Sequence, residues 1–457
     1  MSPQDNKTDA WTERIDAIMR VLDVASESLA GSMRGSAFAR QQSLQGMIRS
    51  LRIFGDKQLT FFKDGFASGG RLKAEPLYLA EHAFDVTINQ IGYDLDIILR
   101  SIHHRTLPIS NQAQATLGFR KTLDEADRYA NALLHPVICA GLIEPITVIT
   151  CYQQSLSSRI IPYAPVAMIG IPFTATLSSR DLALIAHEAG HSVYWRMLST
   201  GLEDAAFPAW ILNWWEEIFA DVYGCVAGGP ASAFTLLEMV RGIAGTRWLI
   251  DDGVHPTPML RPLIYHAALR KMADLQQANA PAVSGQLEER AALLQTELDA
   301  WLKSIPAWLT VRLHDGSMIS VTEAKSWLER AADALISDNV LGKLLPHAMD
   351  LWRNELNEDS LDKRVSGAID RIQNQPVAEL LFDPNDDTIT LERCGKQLTI
   401  EPGATGRNSD WELARDGDAA AVCVLEQAGW NPWWLAVLSA GFWTTEGPGA
   451  GNPQPPS

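Results

Sequence analysis

The sequence predicts an α+β chain, predominantly helical, with a small sheet set beside two buried helices. Three observations carry that expectation. Apolar residues recur at helical spacing over long stretches, as at Ile15, Ile18, Met19 and Leu22, and again at Ile88, Ile91, Leu95, Ile98 and Leu99. β-Branched clusters such as Ile146, Val148 and Ile149 are confined to short runs. A His-Glu-Ala-Gly-His pentad at 187–191 lies in the helical stretch that follows them. The expected organisation is a helical N-terminal region over 1–140, a core over 141–305, an α+β C-terminal region over 306–445 and a disordered Gly- and Pro-rich tail over 446–457. The core should hold the small sheet, the pentad's helix and a helix carrying Glu217.

In chain order, Gly69-Gly70 and Pro108 break the N-terminal helices. Strands open at Pro145 to Tyr152 and continue through Arg159 to Thr176. Within the second stretch, Ala164 to Phe173 is bounded by prolines. That suits an edge strand able to accept an extended peptide by strand addition, and equally a plain core strand. Ser178 and Ser179 are candidate N-caps for a helix from about Arg180 to Met197, where Leu182, Ile185, Ala186, Ala189 and Val193 keep helical spacing. A second helix covers Trp214 to Gly224, and helix returns after Arg261, including Gln286 to Leu302. Trp308 to Val321 reads as a hairpin turning at Asp315-Gly316, followed by a helix from Thr322 to Ile336. A strand pair is expected at Ala378 to Phe382 and Thr388 to Ile400. There is no internal repeat.

The pentad carries the chemistry. Residues four apart on a helix share a face, so His187 and His191 can reach one metal ion. Glu188 is turned toward the ion's open side, where a general base stands. Gly190 is costly inside a helix and suggests a backbone that something must approach closely. A catalytic zinc takes a third protein ligand and keeps one position open. Glu217 can supply that ligand. Asp221, one turn on, can accept the free ring N–H of a ligating histidine and set its tautomer. Glu216 points about 100° away and is the weaker ligand candidate.

With these motifs the chain resembles the gluzincin metallopeptidases, in which HExxH precedes a helix bearing a Glu ligand and an Asp four residues later. It is more closely similar to the CAAX prenyl proteases and the bacterial heat-shock membrane proteases. Their pattern of HExxH with Gly before the second His, then E-x-x-x-D, then His-Pro and an Arg appears here as His187–His191, Glu217 to Asp221, and His255-Pro256 to Arg261. The resemblance spans about residues 160 to 265. It implies a zincin-like metallopeptidase core with Zn2+ held by His187, His191 and Glu217, and Glu188 as base. Membrane residence does not carry over, because no apolar run approaches the ~18 residues that a spanning helix requires. The most apolar stretch, Ala419 to Trp443, is interrupted by Glu426, Gln427, Asn431 and Pro432.

His255 and Arg261 each have two readings. His255, with Asp251 and Asp252 upstream, can donate to the oxyanion of a tetrahedral intermediate, or His-Pro simply opens a helix. Arg261 can pair with Asp221 or another active-site carboxylate, or lie at the surface. His82, His103, His104, His135, His266, His314 and His347 lack partner spacing and read as structural or surface residues. Trp195, Trp210, Trp214 and Trp215 read as core packing.

Composition sets the setting. The 457 residues carry a net charge of −17, from 55 acidic against 38 basic side chains, which disfavours nucleic acid and anionic membranes as partners. The polar amino terminus shows no secretory signal. Five scattered cysteines, Cys139, Cys151, Cys225, Cys394 and Cys423, show neither CxxC spacing nor a disulfide framework, and read as small buried hydrophobes in a reducing compartment. The expectation is therefore a cytoplasmic, soluble zinc peptidase acting on a peptide or protein, with the C-terminal region a candidate partner-binding element. Two alternatives stay open: a regulatory or binding protein with a structural or vestigial metal, and a hydrolase of a small amide or peptide. The volume of the cleft separates the small-molecule case from the protein case.

Overall fold

The computed structural model describes residues 3–400, apart from 33–38, 67–79, 107–112, 162, 198–206, 244–247, 249, 306–308, 338–339, 359 and 373–376. The expected tail at 446–457, the stretch 419–443, Cys423 and the breaks at Gly69-Gly70 and Pro108 lie outside the described residues.

Four long helices open the chain: α1 (Pro3–Ser32), α2 (Gln41–Phe66), α3 (Ala80–Thr106) and α4 (Ala113–Cys139). Most of the apolar stripes read from the sequence face inward, with Leu22, Ile91 and Ile98 fully buried, whereas Leu99 is exposed. A three-stranded sheet follows, made of β1 (Thr147–Gln153), β2 (Ser157–Ile160) and β3 (Val166–Pro172). Its order is β1-β3-β2, with β1 parallel and β2 antiparallel to β3. The stretch from Arg159 to Thr176 is thus two strands, and β3 is the central one. Its prolines sit at the strand's ends, where a missing N–H does not interrupt the ladder. The edge-strand expectation therefore moves from β3 to β2.

The outer edge of β1 is closed by side chains. Asn131 Oδ1 accepts from Val148 N and its Nδ2 donates to Val148 O, at 3.2 and 3.1 Å. Asp127 Oδ1 accepts from Thr150 N at 2.7 Å, while Arg105 donates to Thr150 O at 2.8 Å and to Asp127 at 2.7 Å. Unpaired strand groups cost energy when buried, so α3 and α4 serve as the neighbour that β1 lacks among the described residues.

Next come α5 (Ile185–Met197), α6 (Ala209–Asn213), α7 (Trp215–Gly228), α8 (Pro230–Arg241), α9 (Arg261–Gln276) and α10 (Pro281–Leu302). The α-helix that bears the pentad starts five residues later than expected, after a 3-10 turn at Ser179–Leu182. Ser178 makes no side-chain cap. Its hydroxyl donates to Asp362 Oδ1 at 2.9 Å, and the same oxygen accepts from Arg180 N at 3.2 Å. A distant carboxylate has taken the capping role.

The C-terminal part holds the hairpin β4 (Thr310–Arg312) and β5 (Met318–Ser320), then α11 (Val321–Leu335), α12 (Leu345–Trp352) and α13 (Leu361–Ile372). Gly316 takes the positive φ of 86° that the Asp-Gly turn requires. The expected strand pair is a three-stranded antiparallel sheet of β6 (Leu381–Asp383), β7 (Thr388–Arg393) and β8 (Lys396–Ile400), because Cys394-Gly395 folds the second stretch into a hairpin. Cys139 and Cys394 form a disulfide across 255 residues, which overturns the reading of all the cysteines as buried thiols; Cys151 and Cys225 are buried and free. Among the described residues no helix is long and apolar enough to cross a membrane.

Candidate metal centre

The site is built where α5 crosses α7. A Cβ on Gly190 would lie 2.7 Å from Ala220 Cα, and one on Gly224 would lie 3.2 Å from His187 N. Glycine at both contacts lets the two backbones meet, so that side chains one turn further along converge. Trp214, Trp215, Tyr223 and Tyr265 are fully buried around this crossing.

His187, His191 and Glu217 each present a ligand atom, and these atoms lie within 4.8 Å of one another. His187 Nε2 and His191 Nε2 are 3.1 Å apart. Glu217 completes the triangle, with Oε2 3.5 Å from His187 Nε2 and Oε1 3.5 Å from His191 Nε2. A tetrahedron with metal–ligand bonds of about 2.0–2.1 Å has edges of about 3.3–3.4 Å. The observed edges straddle that value, so the three donors fit a zinc-sized ion. Glu217 Oε2 is buried and has no hydrogen-bond partner among the described residues, which leaves it free to ligate a cation.

Each imidazole is held from behind. His187 Nδ1 lies 2.9 Å from Asp221 Oδ1, as the four-residue spacing from Glu217 predicts. His191 Nδ1 lies 2.7 Å from Glu216 Oε1, and Trp195 Nε1 donates to that oxygen at 2.8 Å. With both Nδ1 atoms turned to carboxylates, both Nε2 atoms are directed at the gap and are acceptors whenever the rings are neutral. Glu216 is thus no ligand. It faces α5, a neighbour that helical phase within α7 does not reveal. Trp195, read as packing, is a site residue through its indole N–H.

Arg261, the first residue of α9, donates from Nε to Asp221 Oδ2 at 2.9 Å and from Nη2 to Oδ1 at 2.6 Å. Nη2 also lies 3.5 Å from Glu217 Oε2. Burial opposes ionisation of Asp221, but Arg261 and His187 outweigh it and hold the carboxyl at about 2. Glu217 is likewise driven down despite burial, by Arg261 and the two histidines. At His191 burial disfavours the charge, yet Glu216, Glu217 and Glu188 raise its pKa to about 9. The gap between these groups favours positive charge.

His255 is half exposed. Its Nδ1 is 2.8 Å from Asp252 Oδ2 and its Nε2 is 3.5 Å from Glu217 Oε1, so the chain does return past the site. Asp252 orients it. Asp251 instead accepts from Trp214 Nε1, Gly253 N and His314 N, at 2.9, 2.8 and 2.9 Å, and fixes the loop.

These groups open into a cleft of about 860 Å³ lined by Glu188, His187, His191, His255 and Arg261. Ser157 and Ser158 of β2 form part of its wall, and Leu184, Leu236 and Met239 give it an apolar side. Comparison with protein-family models, with curated proteins and with solved structures gives no match for this chain. Its function is read from the residues and their geometry.

Proposed function

We propose that the chain is a zinc-dependent metallopeptidase of the gluzincin type, with His187, His191 and Glu217 as ligands and Glu188 as general base. The observation that carries this is the triangle of two Nε2 atoms and one carboxylate with edges of 3.1, 3.5 and 3.5 Å, beside a cleft-lining carboxylate that the triangle does not use. A site serving structure alone closes with a fourth protein ligand and has no use for such a base. The similarity of HExxH, Glu217-to-Asp221 and His255-to-Arg261 to the CAAX prenyl and heat-shock protease motifs supports the same reading.

Zinc held by His187, His191 and Glu217 would supply Lewis acidity, lowering the pKa of water to about 7 and polarising a carbonyl. Glu188 takes the proton as water attacks the peptide carbonyl and then delivers it to the departing amine. In its imidazolium form, with Nδ1–H held by Asp252, His255 also presents Nε2–H to the oxyanion at the rim of the cleft. Asp221 and Glu216 keep His187 and His191 in the tautomer that leaves Nε2 free. Arg261 offsets the negative charge of Asp221 and Glu217, so these carboxylates remain ionised in a buried place.

The cleft, at about 860 Å³, has room for a stretch of peptide as well as for a small amide. Among the described residues β2 pairs with β3 alone and borders the cleft at Ser157 and Ser158, so an extended peptide can add to it as a further strand. Leu184, Leu236 and Met239 suit an apolar side chain next to the scissile bond. The expected setting is cytoplasmic, with a peptide or protein substrate and no nucleic acid.

The test is cleavage of a protein-substrate library by zinc-replete wild type and Glu188→Gln. Cleavage by the wild type that falls by at least about 10²-fold in the variant, at equal zinc content, supports the reading. Equal cleavage by both removes Glu188 as the base.

A further inference from the structure

A second cluster of metal-ligating side chains lies away from the cleft. His135 and Cys139 are four apart on the last turn of α4, so they share a face. Cys394 reaches them from the turn between β7 and β8. His135 Nδ1 lies 3.6 Å from Cys139 Sγ and 3.5 Å from Cys394 Sγ. One ligand atom from each of the three residues falls within 4.8 Å of the others. His135 reads from the sequence as a residue without partner spacing, yet Cys139 is one turn away.

The cluster is held together by more than its disulfide. Arg393 is buried and donates to Ile146 O at 2.6 Å, to Asn131 Oδ1 at 3.3 Å and to Asn131 O. These bonds dock the β7–β8 turn onto α4 and the segment after it without involving either sulfur. Cys394 also adopts φ of 53° and Gly395 φ of 69°, a left-handed turn that favours Asn, Asp or Gly at the first position. A cysteine there accepts an unfavourable backbone, and its side chain is the one that meets Cys139. His135 and Cys139 are exposed, so ions and small thiols can reach them.

We propose that His135, Cys139 and Cys394 form a second metal site, for a thiophilic divalent cation of the zinc class, that is occupied when the two cysteines are reduced and abolished when they join. Two thiolates and an imidazole are the donor set such ions prefer, and the exposed side leaves a fourth position to water. The structure shows the joined state. Conversion uses a low-molecular-weight disulfide as oxidant. One protein thiolate attacks it, forming a mixed disulfide and releasing one small thiolate. The second protein thiolate then attacks the bound cysteine's sulfur, the Cys139–Cys394 bond forms and the second small thiolate leaves. Two electrons pass to the oxidant, the leaving thiolates take up protons, and the cation is released because both sulfur ligands are gone. A disulfide that persists belongs to an oxidising compartment, whereas one that exchanges in this way suits a reducing one. The proposal does not rest on the hydrolase reading.

Cobalt is the probe, because a thiolate ligand gives an ultraviolet charge-transfer band that the His187–His191–Glu217 site cannot produce. The full chain, reduced with a phosphine, is titrated with Co2+, then treated with a low-molecular-weight disulfide. The expected result is a thiolate–cobalt band in the reduced protein that vanishes on oxidation as two titratable thiols disappear. Cys394→Ser and Cys139→Ser should each bind Co2+ there roughly 100-fold more weakly, and His135→Asn also more weakly. Both serine variants retain Cys151, Cys225 and Cys423 and so control for them. No band in the reduced wild type, or a band that survives oxidation or Cys394→Ser, overturns the proposal. The wild-type arms decide the matter even if a variant fails to fold.

Discussion

Gly190 meets Ala220 backbone to backbone: a Cβ at position 190 would stand 2.7 Å from Ala220 Cα and 2.9 Å from its carbonyl oxygen. This contact sets how far α5 lies from α7, and so how far His187 and His191 lie from Glu217. Gly190→Ala should lower stability by about 1–3 kcal/mol, although alanine is favoured in a helix by about 1 kcal/mol. Zinc affinity should fall with it. Ala220→Gly should not rescue the variant, because the obstructing atoms are main chain. Thermal unfolding and metal titration of the two single variants and the double variant check this, and a Gly190→Ala protein of wild-type stability would contradict it.

Asp221 makes the fold of the metal-free protein sensitive to acid. Its carboxyl is held at about 2 against an ordinary 3.8. A carboxylate with a lowered folded-state pKa stabilises the fold above its unfolded value, and that contribution is lost as pH falls through the folded one. The shift corresponds to about 2 kcal/mol, expected to disappear between roughly pH 4 and pH 2. Asp221→Asn should be less stable at neutral pH by about 3–5 kcal/mol, since Arg261 loses its buried partner. Its urea midpoint should then fall less steeply through that acid window. Parallel pH profiles for variant and wild type would refute the assignment.

In the proposed centre Glu216 would act on the metal through His191, whose Nδ1 lies 2.7 Å from its carboxylate. Glu216→Gln should weaken zinc binding by about 10–100-fold, and Trp195→Phe in the same direction by less. Competition with a chromophoric chelator measures both. An unchanged affinity would return Glu216 to the status of a surface carboxylate.

His255 should matter to turnover more than to metal. His255→Ala is expected to lower kcat by about 10²-fold at constant zinc content. Asp252→Asn should follow it in part, since Asp252 orients the ring. A change confined to KM would place His255 in substrate binding alone.

What the sequence disclosed follows from what periodicity can encode. His187, Glu188, His191, Glu217 and Asp221 are separated along helices, and helical phase places them on faces that do converge. Partners between elements are another matter. Glu216 is read from its own helix as pointing away, and only the approach of α5 shows that it points at His191. β3 is an apolar run ended by prolines, which suits an edge or a centre equally until β2 pairs with it. Ser178 has the chemistry of a cap, but Asp362 arrives from α13 to do that work. The Cys139–Cys394 pair spans 255 residues, a separation over which no spacing rule operates. His255 and Arg261 became legible only through the order of motifs, because nothing local ties them to a helix forty residues upstream.

The most direct test of the metal centre is the zinc content of the purified chain with the Cys139–Cys394 bond formed, wild type beside Glu217→Ala. The account predicts about one zinc ion per wild-type chain and its loss in the variant. Wild type without zinc, or Glu217→Ala that retains it in full, would contradict the three-ligand centre on which the proposed chemistry depends.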